Sequence, residues 1–315
     1  MRPFALFILL VALLASAGCS TERKPGDLLA PGELGEIVVD GTLIVGQPVS
    51  RVLLRKTLSP ADPYDPAAAA VSGAVVRIVE VGGAGIPLAE TSAGRYESPS
   101  PPPLVKPRTE YRLEVQTADG RTVTASTVTP DTFHVDDWVL LDQASLAIRR
   151  SLAVASDFPV DPDSVYVVDS NQLVYQDGLL EARFARGGEI AFQVGLHSLD
   201  PGSPYVIDAD FLSEEDLADL KRDSSSPPLV SEQNAIRLPW FAIFFEGRYR
   251  IQIISIDRNW FDLSRSLPEF GGSNGGFGGN AGDNFERPIF HVQGGIGLFA
   301  SGSTAEIGFN ILPGP

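Results

Sequence analysis

One cysteine, one methionine and three histidines in 315 residues leave little material for redox or metal chemistry. With Cys19 as the only cysteine, an internal disulfide is excluded. The histidines, His134, His197 and His291, lie far apart, and none belongs to an H-x-x-x-H pair of the kind that holds zinc. Basic residues are also scarce: 24 lysines and arginines stand against 40 acidic residues, for a formal net charge of −16. Phosphate backbones need a concentrated basic surface, so nucleic acid is excluded as a partner. The apolar run Phe4 to Ala15 is too short to cross a bilayer as a stable helix and reads as an export signal over residues 1–18.

What is present begins with small residues, Ser16, Ala17 and Gly18, leading directly to Cys19. This junction resembles the lipobox of bacterial lipoproteins, with Ser16 where leucine is usual. The resemblance implies cleavage before Cys19 and lipid attachment at its thiol, an anchor made firm by several acyl chains where one chain would bind only marginally. Residues 19–35 then read as the lipidated N-terminus and a tether, since "STERKPGDLLAPGELG" is rich in proline, glycine and charge.

From Glu36 onward the dominant pattern is alternation. In "YRLEVQT", Tyr111, Leu113 and Val115 share one face, and "RTVTASTVT" continues after an Asp-Gly turn, which predicts a β-hairpin. "EIVVDGTLI", "VSRVLLRKT", "AVVRIVEV" and "GRYES" add strands, and the spacing predicts an immunoglobulin-like or transthyretin-like β-sandwich over residues 36–130. The proline-rich stretches "LSPADPYDPAAAA" and "SPSPPPLVKP" read as rigid connectors. Residues 131–315 predict a second β-rich domain with short helices. "EIAFQVGLH", "RYRIQIISI" and "AEIGFNI" alternate, while "SEEDLADLKRD" and "DRNWFDLSRSLPEF" carry helical spacing. The chain is therefore expected to be mainly β.

Glycine is the feature that invites a chemical reading. No Gly-Lys-Ser/Thr triplet occurs, and "GGIGLF" lacks a third glycine at dinucleotide-binding spacing, so phosphate cradles are rejected. "GGSNG" matches G-x-S-x-G around Ser273, yet seven of the thirteen residues 271–283 are glycine. No apolar strand leads into that run and no helix leaves it, so it reads as a loop and not as a preorganised nucleophile. Gly294, Gly295 and Gly297 are expected where strand backbones bend or approach closely. Neither Asp136–Asp137 nor Asp157, Asp161 and Asp163 has the order or the glycine of a calcium loop, and they read as solvated turns. The aromatic crowd Trp240, Phe241, Phe244, Phe245, Tyr249, Trp260 and Phe261 could form a recognition platform. The continuous apolar run "PWFAIFF" argues instead for a strand buried on both faces. No catalytic, cofactor or metal residue is assigned.

"VSGAVVRIVE", "GRYES" and "YRLEVQTADGRTVTASTVTP", followed by "RYRIQIISIDRNWFDLSRSL", a glycine-rich interval and "ERPIFHVQGGIGLFASGS", resemble the domain-of-unknown-function 4249 lipoproteins of Bacteroidota-like bacteria. The likeness runs from about Ile37 to Phe309 and rests on order and spacing. It implies an exported, lipid-anchored outer-membrane protein, associated with a TonB-dependent transporter and without established catalytic residues. Arg23 and Lys24 stand where surface-displayed relatives carry an acidic run, which leaves both the periplasmic and the surface face open. The expected function is that of a non-enzymatic accessory or binding component. An adhesion or structural module is the alternative, and a carbohydrate-active hydrolase a more remote one.

Overall fold

The computed structural model describes residues 34–59, 63–153, 171–185, 187–207, 220–230, 234–238, 240–267 and 288–314. The export signal, Cys19, Asp157, Asp161, Asp163 and the glycine-rich stretch 271–283 with Ser273 lie outside the described residues. So does most of the helix expected over 213–223.

The first half follows the alternation closely. Strands β1 (Ile37–Ile44), β2 (Val52–Lys56), β3 (Val75–Glu80), β4 (Gly85–Ser92), β5 (Arg95–Glu97), β6 (Glu110–Gln116) and β7 (Thr122–Val128) form two layers. The expected hairpin is β6–β7, and its turn places Gly120 at φ +87°, a conformation that glycine adopts without a Cβ penalty. β4 was not legible because Pro87 interrupts its pattern. It pairs with both β3 and β5 and so carries the chain from one layer to the other. The connector before β3 ends in a one-turn helix, α1 (Pro66–Ala69), capped by Asp65. Val76, Ile78, Leu113, Val115 and Val123 point inward, against Ile37, Val39, Leu54 and Tyr96 of the opposing layer. Each such side chain contributes about 1.5–3 kcal/mol when fully buried.

The second half is a larger sandwich. One layer contains β8 (Asp137–Leu141), β9 (Ile148–Ser151), β11 (Leu179–Arg183) and β14 (Ala235–Leu238), ordered β14-β11-β8-β9. The other contains β10 (Gln172–Val174), β12 (Ala191–Ser198), β13 (Asp223–Ser225), β15 (Gly247–Ile256) and the long β17 (Ile296–Leu312). Trp138, Leu140 and Leu180 meet Phe192, Ile251, Ile253 and Phe309 between them. Asp223, expected in a helix, instead begins β13 and pairs with His197 of β12.

"PWFAIFF" corrects another expectation. It is no buried strand: Trp240–Ala242 form a 3-10 turn, and the chain then runs irregularly into β15. Pro239 cannot donate to a ladder, which favours a turn here. The aromatic crowd separates as a result. Trp240 donates its indole N–H to Gly178 O (2.7 Å) and meets Tyr175 edge-on, while Tyr249 stacks on Phe309. Trp260 and Phe261 sit half-buried on the helix α2 (Arg258–Ser266), whose buried side chains are the polar Asp262, Ser264 and Ser266.

The two halves share one strand. β16 (Val292–Gln293) pairs with β7, and the chain then crosses to pair with β1 in parallel over 296–302. The same strand continues antiparallel to β15 over 302–311. The crossing explains the glycines. Gly294 (φ +76°) would place a Cβ 2.3 Å from Thr122 O, and Gly297 (φ +107°) one 2.1 Å from Val39 O. At Gly295 the distance to Ile37 O would be 2.5 Å. The expectation of close backbone approach holds at all three. The predicted first sandwich thus gains residues 292–302 from the far end of the chain.

Candidate functional site

The outward face of the first sandwich forms a groove of about 640 Å³, a size suited to a small ligand. Strict alternation along β3, β6 and β7 sends Arg77, Arg112, Glu114, Gln116, Thr122, Thr124 and Ser126 outward while their neighbours fill the core. His291 and Gln293, around β16, complete the wall. Among the described residues no Phe, Tyr or Trp lines it. Arg77 and Glu114 face each other across β3–β6 at 3.8 Å, both well exposed, a pair too loose to fix either side chain. Among the described residues the Arg112 side chain has neither a hydrogen-bond nor an ion-pair partner.

His291 is held firmly. Its Nε2 lies 2.9 Å from Asp262 Oδ2, and the Asp262 carboxylate is almost fully buried. Arg265 Nε donates to Asp262 Oδ1 (2.9 Å), and Arg258 Nε lies 3.1 Å from Oδ2. Burial pushes the Asp262 carboxyl up. The hydrogen bonds from His291 and Arg265 and the charges of Arg258 and Arg265 outweigh it and hold the group below the usual carboxylate range. The ionised Asp262 accepts from Nε2 of His291, and among the described residues Nδ1 has no hydrogen-bond partner. An aspartate orienting an imidazole is half of a nucleophilic triad. Among the described residues no hydroxyl or thiol is hydrogen-bonded to His291 to complete it.

The other histidines follow the same local habit without converging. His134 lies 3.1 Å from Asp136, and His197 lies 3.1 Å from Asp223. Asp136 also accepts from Ala185 N (2.9 Å), which ties it to the end of β11, while Asp137 opens β8. Among the described residues no three ligating side chains gather at one point.

A second cleft, about 350 Å³, lies at the seam between the halves, with Thr127, Thr129, Glu189, Asp257 and Arg258 in its wall. Its carboxylate is already committed. Asp257 caps α2 through Trp260 N (2.9 Å) and accepts from Thr127 Oγ1, which also lies 2.7 Å from Ser301 Oγ. Burial is the largest influence and raises the Asp257 pKa. Nearby, Asn259 Nδ2 donates to Ser126 O (2.7 Å) and Phe299 O (2.8 Å). This seam is structural: it closes the β7 edge and fastens α2 to β17.

The groove residues Arg77, Arg112, Glu114 and Gln293 were not singled out by sequence reasoning. The available signal was the charged outward positions of the β6–β7 hairpin, which alternation had already placed on one face.

The fold and groove define a class: a mainly β protein of two sandwiches joined by a common strand, with a polar groove on the first. The profile of the family described as Domain of unknown function (DUF4249) matches residues 30–307, and the chain belongs to that family. No curated protein matches it. Among solved structures it is similar to the FN1-FN3 domains of chicken CNTN1, at 13% identity and a TM-score of 0.24. That likeness covers 71% of this chain and 61% of that one. It is also similar to trypsin-activated alpha-2-macroglobulin from Escherichia coli, at 12% identity and a TM-score of 0.20, over 89% of this chain. The chain spans only 16% of that protein's length.

Proposed function

We propose that the protein is a non-enzymatic, lipid-anchored component of the bacterial cell envelope, held in the outer membrane through Cys19. It acts as a binding accessory to a TonB-dependent transporter. The observation that carries the binding role is the groove on the first sandwich. It offers an unpaired guanidinium, a loosely paired one, hydroxyls, amides and an oriented imidazole on a rigid β-sheet floor. Such a surface suits recognition, because the sheet fixes the backbone positions from which these groups extend. The anchor and the transporter association rest on the lipobox-like junction at Cys19 and on the family resemblance.

The test is an affinity pull-down of the anchored protein from gently solubilised envelopes, with Cys19→Ala as control. Stoichiometric, Cys19-dependent recovery of a transporter supports the reading. Recovery of the protein alone in every detergent contradicts it and favours an adhesion or structural module. The Asp262–His291 pair favours a hydrolytic role as the second reading, and turnover of an ester or glycoside that His291→Gln abolishes would establish it.

A further inference from the structure

We infer that the groove on the outward face of β3, β6 and β7 binds a hydroxyl-rich monocarboxylate of the sugar-acid class. This rests on the groove being a binding site, as proposed above, and specifies what it takes.

The first argument is charge. The chain is strongly acidic, at −16, yet the groove lining sets two arginines against one glutamate, a local excess of one positive charge. Glu110, the next outward residue on β6, lies outside the lining. A positive cleft in an acidic protein concentrates anions locally, and repulsion from the remaining surface disfavours non-specific anion binding elsewhere. An excess of one matches a monoanion.

The second is geometry. Guanidinium groups present a planar fork that matches a carboxylate in a bidentate manner. Arg112 is free to use it among the described residues, and Arg77 is restrained only by the 3.8 Å contact to Glu114. The two arginines sit diagonally across the β3–β6 pairing, since Arg77 is opposite Glu114 and Arg112 is opposite Val79. That spacing, about 7–8 Å between backbones, lets two long side chains converge on one carboxylate.

The third is the remainder of the wall. Thr122, Thr124 and Ser126 line one strand at alternate positions, with Gln116 and Gln293 beside them. The hydroxyls and amides donate and accept, and they complement sugar hydroxyls. Among the described residues no Phe, Tyr or Trp lines the groove for stacking, so affinity comes from the charge and the hydrogen bonds, and a neutral sugar lacks the dominant contact.

The experiment is calorimetric titration of the purified mature chain with glucuronate, a short oligo-uronate, glucose and glucose sulfate. Wild type should bind the uronates and not glucose, with affinity falling as salt rises. Arg112→Gln should weaken uronate binding about tenfold or more, the range for a lost charge-assisted hydrogen bond, at an unchanged melting temperature. Tighter binding of the oligomer than of the monomer would assign the source as a polymer, and equal binding would assign free sugar acid. Absence of uronate binding, equal affinity for glucose or glucose sulfate, or an unaffected Arg112→Gln variant overturns the inference. The pull-down separates the two readings. A recovered transporter with no uronate binding sinks the ligand class alone, whereas uronate binding with no transporter sinks the accessory role alone.

Discussion

The groove face of the first sandwich and the second sandwich treat their arginines differently. In the second, several guanidinium groups are bound to carboxylates as part of the fold. Glu181, nearly buried, accepts from Arg183 and Arg237, both at 2.7 Å. Arg248 pairs with Asp200 at 2.6 Å, and Arg149 with Asp142 at 2.9 Å and Asp177 at 2.5 Å. In the first sandwich Arg95, Arg108 and Arg121 pair likewise with Glu97, Asp131 and Asp119, but on the groove face the Arg112 side chain stands unpaired and Arg77 nearly so. Charge that is already neutralised holds a structure together, and charge left open on a rigid surface is available to a ligand. The same residue type therefore means different things on the groove face and in the second sandwich, and the difference can be tested.

The largest effect should come from the strand that both halves share. Gly297→Val places a Cβ against Val39 O, at a φ that valine rarely adopts. A loss of about 3 kcal/mol or more is expected, the upper range for strain at a special backbone position with a backbone clash added. Urea unfolding would read the loss, and hydrogen exchange should show β1 amides opening before those of β15. Equal exposure of both strands would mean that the halves are not separable in the way described.

Next comes Arg237→Gln. It leaves the buried Glu181 with Arg183 as its remaining cation, at an expected cost of about 1–3 kcal/mol in thermal unfolding. A smaller effect is expected at the seam. The Asp257 pKa is raised by burial, so its folded form favours the proton. Stability linked to that proton is complete below the unfolded value, about 3.9, and is lost as pH rises through the folded value. Asn is an equally good helix cap, so Asp257→Asn should change stability by about 1 kcal/mol or less near pH 4. It should gain on wild type towards pH 7. Melts at the two pH values would check this, and a variant that falls behind at pH 7 would show that the ionised carboxylate is needed.

Much of this architecture is legible from alternation alone. The inward set Val76, Ile78, Leu113, Val115 and Val123 follows from period-two spacing, as does the β6–β7 hairpin. What local pattern does not carry is partnership across distance. Nothing near Ile296 announces that it will lie beside Val38, so the crossing of β16 to β17 was visible only as an unexplained glycine cluster. Pro87 hid β4, and the apolar content of "PWFAIFF" concealed a turn, because hydrophobicity reports burial before it reports conformation. The groove was partly readable, since Arg112 and Glu114 are the outward half of the hairpin. His291 and Asp262 meet only through the fold.

The smallest expected effect on stability, at Arg112, gives the most direct test of the comparison. Arg112→Gln and Arg237→Gln should be measured side by side for melting temperature and for glucuronate affinity. The account predicts a crossed result: Arg112→Gln keeps its melting temperature and loses binding, while Arg237→Gln loses stability and keeps binding. If Arg112→Gln destabilises the chain, or if both variants bind glucuronate as wild type does, the open charge of the first sandwich is not a ligand site.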